Sequence, residues 1–284
     1  MEKYFIANWK MNNSFQELED WLDEFYENCN NITTNNNLPT IVLCPPSTLL
    51  DQLDSELVDD GYEFLSYVAK ENNRSNNDFT AEEIIQYVYK SRPIKIGAQD
   101  CHYQEKGSYT SNISAKMLKD VNCEFVILGH SERRVLQSET NQIVSLKAEN
   151  VLKNNMIPII CIGEELKLRQ ENTYLDFIGK QLIESLPSQI NNDQMIIVAY
   201  EPVWAIGSGQ SATVEQISEV VKYIHKIISN LQPSLKFYIT YGGSVDSNNA
   251  EQISAIENLS GLLVGRASLD AGEFLKIVQL SINN

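Results

Sequence analysis

The sequence predicts an α/β protein in which eight parallel strands alternate with helices and close into a barrel. Three observations carry that prediction. Short apolar runs, most of them rich in β-branched residues, recur eight times along the 284 residues. They read as near-continuous hydrophobic strands, the pattern of parallel strands covered on both faces. Amphipathic stretches at helical spacing lie between them, and about 35 residues per strand–helix unit suits a closed barrel. An open doubly wound sheet is the structural alternative, but no G-x-G-x-x-G follows the first strand.

The first strand is Tyr4–Ala7, and Phe15, Leu18, Trp21, Leu22 and Phe25 then mark a helix by their i, i+3, i+4 spacing. The Asn cluster from Asn28 to Asn37 reads as a loop before the second strand, Ile41–Leu43. The crossover to the third strand, Ile94–Ala98, is too long for one unit. Within it, residues 71–78 read as a surface loop, and Thr80 with Glu83 forms a capping box opening a helix with Ile84, Ile85 and Val88. Residues 66–92 are therefore read as a segment inserted outside the barrel. The remaining strands are Phe125–Leu128, Ile157–Ile162, Met195–Ala199, Phe237–Thr240 and Leu262–Val264. Helices between them are marked by Ile143, Leu146 and Val151, and by Val214, Ile217, Val220, Val221, Ile224 and Ile228. Residues 1–284 thus read as one barrel domain with an extended crossover between strands 2 and 3.

Charge narrows the partners. With 22 Lys+Arg against 38 Asp+Glu the net charge is −16, which argues against nucleic acid and against an anionic membrane surface. The imbalance is local: Met11 to Ala69 holds twelve Asp/Glu and no Lys, Arg or His, so an anionic small molecule is still admitted elsewhere. No apolar stretch approaches the roughly 20 residues of a membrane-spanning helix, and Tyr4–Ala7 is too short for a secretory core. Cys29, Cys44, Cys101, Cys123 and Cys161 never form C-x-x-C pairs and read as reduced thiols of a cytoplasmic protein. The three histidines are dispersed, which suits no metal-ligand set.

Chemistry in such barrels collects where strands end. Asn8, Trp9 and Lys10 follow strand 1; Gly129, His130, Ser131 and Glu132 follow strand 4; Glu201 follows strand 6. Glycine-bearing segments follow strands 6, 7 and 8: Gly207 to Gly209, Gly242 to Ser244, and Gly265 with Arg266. They read either as tight turns or as loops whose N–H groups cradle an anion, and the loops after strands 7 and 8 are this architecture's usual phosphate site. A carboxylate, an imidazole and a cation on one rim suit proton abstraction beside a carbonyl. Pro202 to Gly209 reads as a lid with a stiff start, a free end and an apolar tip that excludes water.

Six motifs in order give these residues a family. Asn8-Trp-Lys-Met-Asn12, Gly129-His-Ser-Glu-Arg-Arg134, Cys161-Ile-Gly-Glu164, Tyr200-Glu-Pro-Val-Trp-Ala-Ile-Gly207, Tyr241-Gly-Gly-Ser-Val245 and Leu263-Val-Gly265 before Ala267-Ser-Leu269 resemble the triosephosphate isomerase family. The resemblance implies a TIM barrel that interconverts dihydroxyacetone phosphate and glyceraldehyde 3-phosphate, without cofactor and as a homodimer. It implies Glu201 as the base, His130 as a neutral electrophile at the carbonyl, Lys10 as the cation for developing charge and Asn8 as the residue that positions Lys10 and substrate. Phosphate would be held by N–H groups of Gly207, Ser244, Gly265 and Arg266. Glu132 would anchor Lys10, and Cys161 and Leu263 would back the site.

Three departures from the family pattern stand out. Arg266 replaces a second glycine, which keeps the N–H and adds a cation. Residues 107–112 resemble the loop that crosses to the partner subunit, with Ser111 and Asn112 in place of its Gly and Glu. The 66–92 insertion has no family counterpart. A catalytically silent phosphometabolite-binding barrel and a different phosphosugar barrel enzyme are the competing readings.

Overall fold

The computed structural model describes residues 2–29, 39–71, 75, 78–84, 93–191, 193–205 and 211–282. Its strands are β1 Tyr4–Asn8, β2 Thr40–Cys44, β3 Ile94–Ala98, β4 Phe125–Leu128, β5 Ile157–Ile162, β6 Met195–Tyr200, β7 Lys236–Tyr241 and β8 Gly261–Val264. Each pairs in parallel with the next, and β8 returns to β1 through the register Tyr4–Gly261 to Ala7–Val264, closing the barrel. All eight strands expected from the sequence are present, several a residue longer at one end or both.

The helices are α1 Phe15–Asn28, α2 Leu50–Glu71, α3 Ala81–Ile84, α4 Ala115–Asp120, α5 Ser131–Leu136, α6 Asn141–Lys153, α7 Leu166–Gln170, α8 Tyr174–Ser185, α9 Val214–Leu231, α10 Ala250–Ser254 and α11 Ala271–Ile282. Capping boxes open α1 at Ser14 and Glu17 and α9 at Thr213 and Gln216, each supplying partners to backbone N–H groups that a helix end leaves unmet. Among the described residues no helix is long and apolar enough to cross a membrane.

Alternation along the strands sorts the core into two layers. Tyr4, Ile6, Phe125, Ile127, Ile159, Cys161, Ile197, Ala199 and Leu263 form one cluster made only of strand residues, the barrel interior. Their neighbours in sequence, among them Phe5, Ala7, Val126, Leu128, Ile160 and Val198, pack with helix residues such as Leu18, Trp21, Ile178, Ile224 and Phe274. Strand side chains alternate faces, so the inward phase carried past each strand end predicts the rim. Tyr4 and Ile6 lead to Asn8, Ile159 leads to Cys161, Ile197 and Ala199 lead to Glu201, and Leu263 leads to Gly265.

Three expectations about helix faces and lengths need correction. Phe15 opens α1 but is 58% exposed, because it precedes the buried stripe of Leu18, Trp21, Leu22 and Phe25. Leu146 is 46% exposed, and α6 instead buries Val144, Lys147, Ala148 and Val151. In the long crossover α2 continues to Glu71, one residue into the expected 71–78 loop. There Leu65, Ala69 and Phe79 form a small cluster of their own, with Val58 and Ile84 packed against it. The expected capping box is present: Thr80 N–H donates to Glu83 Oε2 at 2.8 Å and Glu83 N–H to Thr80 Oγ1 at 3.2 Å. Ile85 and Val88 lie outside the described residues.

Candidate active site

Lys10 leaves β1 in the left-handed backbone region, φ +54°, a conformation that a residue with a Cβ adopts only when its surroundings impose it. Two side chains do so. Asn8 Oδ1 accepts from Lys10 N–H at 3.1 Å, and Gln99 Nε2 donates to Lys10 O at 2.7 Å and to Cys44 O at 3.0 Å. The Lys10 ammonium donates to Glu132 Oε1 at 2.8 Å. Gly265 lies beneath the lysine, since a Cβ there would stand 3.5 Å from Lys10 Cε.

His130 caps α5. Its Nδ1 accepts from Glu132 N–H at 3.2 Å, which assigns the ring proton of the neutral form to Nε2. Nε2 points to Glu201, 3.2 Å from Oε1. That contact lacks the alignment of a hydrogen bond, so Oε1 is a buried carboxylate oxygen with no hydrogen-bond partner among the described residues. Oε2 accepts from Ser131 N–H at 3.1 Å, at the start of α5.

Close packing holds Glu201 from behind. Gly242 touches Glu201 and Leu263 at once: a Cβ there would lie 3.0 Å from Glu201 Cγ and 3.3 Å from Leu263 Cδ2. A Cβ on Gly163 would overlap the Glu201 carbonyl. Burial first, and the Glu201 charge second, push the Cys161 thiol well above its ordinary range, so it stands beside Glu201 as a neutral group. A cleft of about 310 Å3 opens beside Glu201, lined in part by Ser131, Arg134, Phe177 and Gln181.

The first half of the expected lid is anchored through Glu164, which is fully buried. Its Oε1 accepts from Arg169 Nε at 2.8 Å, Trp204 Nε1 at 2.9 Å and Tyr200 OH at 3.1 Å, while its backbone O accepts from Val203 N–H. Val203–Ala205 forms a single 3-10 turn after Pro202. Gly207 and the rest of the lid lie outside the described residues.

On the next strand round the mouth, Ser244 follows β7 and is tied to α10 by Asn249 Nδ2, which donates to Ser244 O at 3.1 Å. Arg266 opens the 3-10 turn Arg266–Leu269 after Gly265, with its side chain exposed. Trp9 and Trp21 both donate their indole N–H to Ser268 O at 3.0 Å, tying this turn to β1 and α1. Asn8, Lys10, Glu132, His130, Glu201, Cys161, Leu263 and Gly265 therefore form one connected group. Ser244 and Arg266 lie close by in the chain, two residues after Gly242 and one after Gly265.

The sequence reading passes over Gln99, Asp100, Gly163 and Gln181. Gln99 and Asp100 are the polar pair directly after β3, and taking every strand end in turn would have found them. Gln181 sits on α8 and accepts from Gly163 N–H at 2.8 Å, a pairing that no local pattern announces.

A family model described as triosephosphate isomerase matches residues 3–82 and 75–281, two stretches that meet inside the long crossover. The triosephosphate isomerase of Alkaliphilus oremlandii is 36% identical over 285 residues, covering 98% of this chain and 99% of the relative. That of Dictyoglomus thermophilum is 37% identical over 281 residues and 98% of each chain. The crystal structure of triosephosphate isomerase from Bartonella henselae superposes with a TM-score of 0.76 at 30% identity, over 99% of both chains. Matches that span almost the whole chain, and the same fold with it, lead to one conclusion: the chain belongs to the triosephosphate isomerase family.

Proposed function

We propose that Glu201, His130 and Lys10 carry the isomerisation of dihydroxyacetone phosphate and glyceraldehyde 3-phosphate. The observation that carries this assignment is the buried, unpartnered Oε1 of Glu201 beside Nε2 of His130. A buried carboxylate oxygen that accepts no hydrogen bond has its lone pairs free to meet a C–H group of the substrate. Glu201 leaves its bond to Ser131, takes a proton from one substrate carbon and returns it to the neighbouring carbon. The negative charge that develops on the substrate oxygens is met by the Nε2–H of His130 and by the ammonium of Lys10, and His130 passes the hydroxyl proton from one oxygen to the other, so that hydroxyl and carbonyl exchange places. Asn8 and Glu132 hold Lys10 in place.

Phosphate binds to the N–H groups of Ser244, Gly265 and Arg266, with Gly207 of the lid completing the set. The lid shields the enediolate from water. The reaction serves glycolysis and gluconeogenesis in the cytoplasm, which suits five cysteines that are all free thiols. Residues 1–284 act as one barrel domain, as the single closed strand order supports.

The partner is a second copy of the chain. Met11, Val135 and Leu136 are 95%, 64% and 73% exposed, and Tyr109 in the 107–112 segment is exposed as well. Large apolar side chains of this kind mark a surface that is covered in the assembly. Light scattering is expected to give about twice the 32.2 kDa chain mass.

The decisive experiment is an assay of triose phosphate turnover coupled to a dehydrogenase. The wild type is expected to turn over both triose phosphates and Glu201→Gln to fall by several orders of magnitude. A wild type no faster than that control would sink the assignment in favour of a silent binding barrel. Turnover of larger phosphosugars alone would favour a different phosphosugar barrel enzyme.

A further inference from the structure

Four charged groups that the mechanism does not use sit together beside the site. Asp100 Oδ1 accepts from Lys147 Nζ at 2.7 Å, and its Oδ2 lies 2.9 Å from Arg133 Nη2. Glu139 pairs with Lys147 and lies 3.8 Å from Arg133 Nε. Lys147 and Glu139 are almost fully buried. Two acids and two bases leave the cluster neutral, the condition under which buried charge is tolerated.

The cluster joins three elements. Asp100 lies between β3 and the 102–114 segment, Arg133 lies on α5, and Lys147 lies on α6. Asn150 of α6 also donates to Tyr103 O, holding the start of that segment. Arg133 reaches His130 directly, because its backbone N–H donates to His130 O at 2.9 Å. On the other side of the same dipeptide, Gln99 donates to Lys10 O at 2.7 Å. Neighbouring residues after β3 thus hold the two ends of the reacting group, the cation through Gln99 and the imidazole through Asp100 and Arg133.

We propose that Asp100 is a positioning residue for the isomerisation, an ionic brace that fixes α5, and with it His130, relative to Lys10. The proposal rests on the roles given above to His130 and Lys10. The brace needs the carboxylate. Burial pushes the Asp100 carboxyl up to about 6; Lys147 pulls it down, Glu139 pushes it up and Arg133 pulls it down. As pH falls through that value Asp100 takes up a proton and its bridges to Arg133 and Lys147 weaken. Those three groups and the neighbouring thiol of Cys101 are the titratable groups around it.

The test is Asp100→Asn in the full-length protein, a change that keeps shape and removes charge. Displacements well below 1 Å at the imidazole are expected to lower kcat by about tenfold with little change in KM. The wild-type kcat is expected to decline below about pH 6, and the variant to lose that inflection, a readout that mere loss of stability does not move. Folded fraction and molecular mass are followed alongside. A folded variant with wild-type kcat and an unchanged inflection overturns the proposal. So does an activity loss that higher protein concentration restores, since Asp100 would then act only on subunit assembly. An inactive wild type indicts the isomerase assignment instead, which separates the two failures.

Discussion

The two sides of the barrel mouth are built by different means. Around β1, β3 and β4 the site is a network of side chains: Asn8, Gln99, Glu132, Asp100 and Arg133 hold Lys10 and His130 through directed polar bonds. From β5 to β8 Glu201 is placed by backbone and by the absence of side chains, while the Glu164 network anchors the segment that follows it. Gly163 and Gly242 let Glu201 sit against neighbouring strand ends, and Gly265 leaves room under Lys10. The first side is therefore sensitive to charge and reach, and the second to volume. The contrast suits Arg266 at a glycine position, since its side chain is exposed and the proposed phosphate contact needs only its N–H.

The largest effect expected on the volume-sensitive side comes from Gly163→Ala. Its Cβ would overlap the Glu201 carbonyl, so β5 or β6 must shift. Overpacking of this kind costs roughly 3 kcal/mol or more and displaces the base, so thermal melting and kcat should both fall sharply. A variant that melts and turns over like wild type would erase the contrast.

Reach is tested by Glu201→Asp, which withdraws the carboxylate by one methylene. A fall in kcat on the order of 10²-fold is expected, with the fold intact by circular dichroism. An unchanged kcat would mean that Glu201 is not the base.

Arg266→Gly should do little, changing KM by about threefold at most and mainly at low salt, as for any exposed charge. A loss comparable to that of Glu201→Asp would show the side chain at work in the phosphate site.

The smallest effect has the opposite sign. Ser111 holds φ +73° at a position where glycine is unstrained. Ser111→Gly is expected to raise stability by up to about 1 kcal/mol in denaturant titration, and a loss of stability would show that the hydroxyl matters more than the backbone.

The division also explains what the sequence revealed. Inward-facing positions repeat every second residue, so a strand read from its apolar pattern points directly to Asn8, Cys161, Glu201 and Gly265 at its end. Gly242 after β7 likewise announces a close approach, here to Glu201 and Leu263. The charge network was hidden because its members lie far apart in the chain and nothing local marks their pairing. Lys147 shows the difficulty. Hydropathy assigns it to solvent, yet it is buried beside Asp100 and Glu139 and takes the face of α6 that Leu146 was expected to fill. The length of α2 was hidden for a related reason, since Leu65 and Ala69 pack on Phe79 from the crossover and not on the barrel.

Barrel closure has a consequence for how the chain reaches this state. The seam between β1 and β8 joins Tyr4–Ala7 to Gly261–Val264, the most distant strand pairing in the sequence. Contacts of such separation carry the largest loop-closure entropy and tend to form late. Until they do, β1 and β8 are both open sheet edges, each able to pair with another chain. The seam therefore protects the folded protein from aggregation, and incomplete or truncated chains that lack β8 expose the apolar edge of β1.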